Sequence, residues 1–336
     1  AAGGKGGEVM LKYFAGRLGQ SVLLVWLVLT ITFFLLHLAP GDPMARYDDP
    51  EMDPGTVEMM RRQFGLDRSV PEQYARWLAS FARGDFGISL RYNRPVSELL
   101  ASAVPNTLRL TVAALAVYLI LGVALGVTSA ARKDSIFDRS GTLAALVVYS
   151  VPSFWLALML IMLFSLKLGW LPSSHMQSID ASSMGAFALL RDRAAHLVLP
   201  AFVLGVASAA GMARYMRGSM LDEMRRDYIR TARAKGLSEG SVMMKHAFRN
   251  AAIPIVTIVG LSLPFLLGGS VVTEKIFSWP GMGLLMVESI FTRDYPVILA
   301  INFIVSVMVI MGNLLADFGY ALLDPRIAYG AEEGKR

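Results

Sequence analysis

Long apolar runs alternate along the chain with short polar and mostly basic interruptions. Six runs approach or exceed the ~20 residues that a helix needs to cross a bilayer's ~30 Å hydrocarbon core. They lie near 18–39, 108–130, 142–166, 197–217, 252–273 and 297–321. The fourth is diluted by Gly205, Ser208 and Gly211 and runs into Arg214 and Arg217. The pattern predicts an all-α integral membrane protein with six transmembrane helices. Composition agrees, since only 17% of residues are charged, against about a quarter in an average soluble domain.

Lys12 and Arg17 precede the first run, as charges precede a signal peptide. The run exceeds a typical h-region of roughly 7–15 residues and ends in "HLAPGDP" without a small-x-small cleavage pattern. It is read as a retained helix. The stretch "AAGGKGGEV" (1–9) is set apart as a tag remnant or disordered tail. The expected organisation is then 10–39 as N-terminal segment and first helix, 40–107 as an outside subdomain, 108–323 as a membrane core and 324–336 as a tail.

Lys and Arg in the short loops set the orientation. With the N-terminus inside, the cytoplasmic pieces 1–17, 131–141, 214–251 and 324–336 hold eighteen, nine of them in 214–251. The short outside loops hold five: Lys167, Arg191, Arg193, Lys275 and Arg293. Both termini are therefore expected in the cytoplasm. Much of the net charge of +6 is a topology signal, and no nucleic-acid partner is expected. With no cysteine there is no disulfide and no thiolate metal site.

Two polar stretches are long enough to fold. In 40–107, Asp53-Pro54 reads as a cap followed by Pro at the first helical position. Ser69 and Glu72 stand in capping-box spacing, and Gly84 reads as a stop. In 214–251, a helical step from Leu221 to Arg233 places Leu221, Met224, Tyr228, Thr231 and Ala232 on one side and four arginines on the other. Gly236 breaks this helix, and Ser238 is placed to cap a second, "EGSVMMKHAFRN". The loop therefore reads as a cytoplasmic hairpin of two helices. A docking element and an interfacial helix with its arginines on lipid phosphates share this periodicity.

Reactive signatures are missing. There is no H-E-x-x-H, no S-x-x-K and no G-x-x-x-x-G-K-[ST]. The four histidines lack metal-ligand spacing, and Asp317 is the one deeper acid in the spans. The energy source is thus expected outside this chain. Gly122-x-x-x-Gly126 permits close helix approach. Pro264, with Gly268 and Gly269, marks a candidate gating hinge, packing being the plainer reading.

Taken in order, "HLAPGDP" (37–43), "GDFGIS" (84–89), "DYIRTARAKGLSEGSVMMKHAFRNAAIPIV" (227–256), "EKIFSWPGMG" (274–283), "RDYPV" (293–297) and "LDPRI" (323–327) resemble ATP-binding-cassette import permeases of the dipeptide/oligopeptide/nickel branch. The resemblance spans Met10 to Ile327. It implies a pore-forming permease of a bacterial inner membrane that imports peptides or a related solute. The segment between helices 1 and 2 becomes a periplasmic subdomain, and that between helices 4 and 5 a coupling-helix hairpin. The implied partners are a second homologous permease, two cytoplasmic ATPases carrying ATP and Mg, and a periplasmic solute-binding protein, in a lipid bilayer.

By the same resemblance the ATPase-coupling residues are Tyr228, Arg230, Thr231, Ala232, Ala234, Lys235 and Gly236. No catalytic site or cofactor is expected in this chain. The wider importer motif begins Glu-Ala-Ala where this chain has Arg230-Thr231-Ala232. An autonomous secondary transporter or channel is the alternative, and it calls for intramembrane carboxylates or inverted repeats.

Overall fold

The computed structural model describes residues 3–42, 54–63 and 65–323. Among them every regular element is helical apart from one isolated bridge, Ile88 with Pro95. The long helices are α1 (Gly3–Leu38), α4 (Val96–Ala131), α7 (Ala186–Glu223), α11 (Ile253–Ile276) and α13 (Tyr295–Leu323). Short ones are α2 (Pro54–Gln63), α3 (Val70–Phe81), α5 (Ile136–Ser150), α6 (Ser153–Leu160), α8 (Asp227–Ala234), α9 (Glu239–Ser241), α10 (Phe248–Ala251) and α12 (Met282–Thr292).

Among the described residues, four helices are long and apolar enough to cross a membrane, or five if α5 and α6 form one broken span. The sequence's uniform third run is in fact an elbow. Val151 and Pro152 interrupt it, and the pair α5–α6, with the π-helical turn Ile161–Lys167 that continues α6, bends by 103°. Pro152 lacks an N–H and fixes its own φ, so the first helix ends before it. Helix α1 takes in residues 3–9, which the sequence reading sets apart, and α4 starts well before residue 108. Asp53 and the "LDPRI" residues from Asp324 onward lie outside the described residues.

The chain divides into two compact units, one of residues up to Pro105 with 285–310, the other of 106–284 with 311 onward. In the first, an aromatic cluster fixes α3. Phe33 of α1 lies 5.2 Å from the Tyr74 ring and 5.4 Å from that of Trp77, and Phe81 meets Phe303 edge-on at 4.8 Å. The expected capping box does not form: Ser69 makes no side-chain cap. Pro71 follows within the first turn, where it has no N–H to offer. Glu72 instead pairs with Arg68 and Arg76.

The same unit closes around Asp294, which is fully buried. Its carboxylate accepts from Ser89 Oγ and from the backbone N–H of Leu90 and Arg91, both at 3.1 Å. Arg293 reaches the carbonyl of Pro40 at 2.8 Å. Three motifs far apart in sequence, "HLAPGDP", "GDFGIS" and "RDYPV", thus meet in space. Nearby, the Tyr92 hydroxyl donates to Glu288 at 2.7 Å. Burial, reinforced by that bond, pushes the Tyr92 phenol up to about 12, so it remains a donor at physiological pH.

In the second unit α4 and α7 meet backbone to backbone. A Cβ at Gly126 would stand 2.6 Å from Met216 Cβ and 2.7 Å from the Ala213 carbonyl, and one at Gly122 would stand 2.6 Å from Met212 Cβ. Small residues permit such an approach, and in a bilayer this packing stands in for the hydrophobic drive that lipid removes. Gly126→Val is therefore expected to lower the detergent melting temperature by several degrees, overpacking costing about 1–3 kcal/mol. Gly218→Ala, with nothing within 4 Å of its Cβ, should leave the temperature unchanged or slightly raised. Equal melting of both variants would remove the packing role.

Candidate functional site

The basic loop folds as a hairpin, though not with the helix boundaries read from sequence. The expected continuous helix from Leu221 to Arg233 is divided: α7 ends at Glu223, residues 224–226 turn, and α8 starts at Asp227. The break re-phases the apolar face. Ile229, with no exposed surface, and Ala232 point inward, while Thr231 is exposed. They join Val242, Ala247 and Ala251 of the second arm, Met216 and Met220 of α7 and Val127 and Ala130 of α4 in one core. Removing about a leucine's worth of side chain from such a core typically costs about 2–5 kcal/mol. Ile229 is therefore the main anchor of α8.

The turn between the arms depends on Gly236. Its φ is +78°, with open space where a Cβ would stand. A side chain there is opposed by backbone conformation alone. Across the turn, Arg233 donates from Nε to Glu239 at 2.7 Å and from Nη2 to its other oxygen at 3.2 Å. This fork holds the Glu239 carboxyl below its usual range and raises Arg233. Ser238, expected to cap, makes no side-chain cap. The second arm runs as α9, a π-helical turn Val242–Ala247 and α10. At the near end, the Tyr228 hydroxyl bonds Glu223 and accepts from Asn250 at 2.9 Å. Burial, then the bond to Glu223, raises the Tyr228 phenol. Both arms are therefore tied to each other and to α7.

Six of the seven expected coupling residues are gathered on the outer side of this hairpin. Tyr228, Arg230, Thr231, Ala234, Lys235 and Gly236 are exposed. Arg230 is 79% exposed at its side chain, with only a long 3.5 Å contact to Asp227. Ala232 alone faces the core, so it belongs to the seat of the helix. The outer face is thus a basic surface on a short helix whose inner face is anchored. The candidate hinge residues Pro264, Gly268 and Gly269 lie on α11, and Asp317 on α13; their side chains fall outside the described residues.

A second ordered structure, not anticipated from the sequence, is the "EKIFSWPGMG" turn. Glu274 is fully buried. It accepts from Thr107 Oγ1 at 2.8 Å, Gly283 N–H at 2.7 Å and Leu284 N–H at 3.0 Å. Thr107 in turn accepts from Met282 N–H at 2.8 Å, and Trp279 Nε1 donates to the Asn106 carbonyl at 2.9 Å. A carboxylate that accepts backbone N–H groups fixes a turn and the start of the following helix together. The acid at the edge of an apolar run was the available signal, but its partner Thr107 lies far away in sequence.

Residues 122–329 match the family described as binding-protein-dependent transport system inner membrane component, and residues 10–111 match its N-terminal region. The chain belongs to this family and is a multipass inner-membrane permease. The oligopeptide transport system permease AppB of Bacillus subtilis is 43% identical over 321 residues, covering 95% of this chain and all of that protein. The glutathione transport system permease GsiC of Pectobacterium atrosepticum is 42% identical over 320 residues, with 95% and 100% covered. Among solved structures, the inward-facing MetNI methionine ABC transporter superposes with a TM-score of 0.52 at 19% identity. That match covers 69% of this chain and 97% of the other, a likeness of fold.

Glu274→Gln places an N–H₂ against N–H donors and is expected to destabilise by about 1–3 kcal/mol, the usual cost of leaving buried groups unpaired. Faster amide exchange confined to residues 279–284 checks it. Unchanged exchange there would mean that the turn holds without the carboxylate.

Proposed function

We propose that the chain is the pore-forming subunit of an ATP-driven importer, receiving peptides or a closely related small solute from a periplasmic binding protein. Six spans, with both termini cytoplasmic and residues 40–107 outside, fit the loop charges and the family. In this reading α8 and Gly236 form the coupling knob seated on a cytoplasmic ATPase. ATP and Mg²⁺ bind in two such partner subunits, and a second homologous permease completes the pore. ATP binding moves the knob, and the pore switches between two states that the nucleotide biases at a distance.

The observation that carries the proposal is the two-sided build of the hairpin. Ile229 and Ala232 fix its inner face to α4 and α7, while Arg230 and Lys235 stand free of the core. A helix whose only task was to lie on lipid phosphates would need no double clasp to its neighbours. A rigid knob attached to the spans transmits a push. The relatives' transport of oligopeptide and glutathione, by name, supports a peptide-like solute.

Mild-detergent purification from native membranes should recover P-loop ATPases and a second permease in stoichiometric amounts. Arg230→Glu should lose the ATPases with no change in melting temperature. Gly236→Val should keep them yet abolish ATP-dependent uptake of a labelled oligopeptide. Recovery of the chain alone, under conditions that preserve other complexes, would favour an autonomous transporter. Parallel loss of retention and stability in Arg230→Glu would favour a lipid anchor.

A further inference from the structure

One ion pair in the second unit, between a buried carboxylate and a half-buried guanidinium, is not accounted for by the coupling hairpin or by the turn around Glu274. Asp138, 3% exposed, lies in the first turn of α5. Arg217 lies on α7, one turn before Met220. The guanidinium meets the carboxylate as a fork, Nε to Oδ1 at 2.7 Å and Nη2 to Oδ2 at 2.6 Å. Oδ2 also accepts from the N–H of Asp134 at 3.0 Å, and the N–H of Asp138 donates to Ser135 Oγ at 3.2 Å. One carboxylate therefore fixes the 131–135 turn, the start of α5 and the cytoplasmic end of α7. Bidentate pairing fixes direction as well as distance.

Each end of this link leads to an element of interest. Three residues beyond Arg217, Met220 packs in the core that seats Ile229 and Val242 of the hairpin. Beyond Asp138, α5 runs to the 103° elbow. The second arm of that elbow is held separately, because Ala157 of α6 packs with Leu199 and Val203 of α7 and with Phe277. The two arms thus attach to α7 at different heights: α5 through direct packing that begins with the ion pair, and α6 through apolar packing around Leu199 and Val203. Along the elbow lies an open apolar groove of about 510 Å³, lined by Leu146, Val147, Phe154 and Trp155 among others. Any displacement of the cytoplasmic end of α7 relative to its middle changes the angle between the arms.

We propose that Arg217 and Asp138 are positioning residues for transport: their fork delivers movement of the coupling hairpin to the α5–α6 elbow. The inference rests on the hairpin's role as an ATPase-driven element. It goes further in naming the connection through which the drive leaves the hairpin and the element that receives it. The pair touches no solute and no nucleotide. Its task is to keep α5 moving with α7.

The test uses the whole importer, with its ATPases and second permease, reconstituted in lipid. Because this chain has no cysteine, spin labels at Leu143→Cys on α5 and Leu158→Cys on α6, both exposed positions, report the elbow once the labelled chain is assembled with cysteine-free partner subunits. ATP with vanadate is the probe, so no solute need be known. In the otherwise native complex, trapping should shift the label-to-label distance. In Asp138→Asn the shift should vanish, while nucleotide trapping and ATPase retention stay within about twofold of native. Transport of labelled oligopeptide should fall about tenfold, the size of an ordinary coupling energy. Arg217→Lys keeps the charge but loses the fork and should show a reduced shift. It also serves if Asp138→Asn fails to fold.

A native-size shift in either variant, or none in the native complex despite trapping, overturns the proposal. Failure of the native complex to bind ATPases or trap nucleotide would instead overturn the importer reading beneath it.

Discussion

The contact on which the second unit depends is the close backbone approach of α4 and α7. Inside a bilayer, apolar side chains gain little by leaving lipid for one another, so two helices stay together through fit and polar contacts. Gly122 and Gly126 remove the side chains that would keep α4 from Met212, Ala213 and Met216. That fit sets the position of α7, and α7 then supports the hairpin through Met220, the start of α5 through Arg217 and the start of α6 through Leu199 and Val203. A change at the glycines therefore reaches the basic knob without touching it.

Three buried carboxylates, Asp138 and Glu274 in this unit and Asp294 in the other, each organise a turn within their own unit. Asp138, Glu274 and Asp294 each accept backbone N–H groups together with a side-chain donor. A buried charge is costly unless its lone pairs are engaged, and here they are engaged by the turns that each acid organises. Glu274 shapes the "SWPGMG" turn, and Asp294 gathers the loop after α3. The acids serve as fixed points for irregular backbone at the helix ends, where buried N–H groups need an acceptor.

The sequence revealed more of the frame than of its joints. The long helices, the Gly122–Gly126 contact and the exposed placement of Arg230 follow from periodicity and spacing. The break at 224–226 does not, because Met224, Arg225 and Arg226 include no helix breaker; burial of Ile229 decides it. Nor does the sharpness of the elbow, since Pro152 marks a bend without giving its angle. The acid knots were hidden for a different reason. Asp294 finds its donors 203–205 residues away, and no local pattern carries that distance. Ser69 and Ser238 show the converse error, a cap residue in the right place whose side chain makes no cap.

Helix α7 has 38 residues, which at ~1.5 Å each make a rod of roughly 57 Å, nearly twice the thickness of the ~30 Å hydrocarbon core. Pro200 lies inside it and removes a rung of its hydrogen-bond ladder, so the ~35 Å beyond that point is a lever. A tilt of about 8° there swings the end by roughly 5 Å, close to the ~5.4 Å pitch of a helical turn. Subtle rotation within the bilayer is thereby converted into a stroke large enough to advance one packed surface past another by a full ridge.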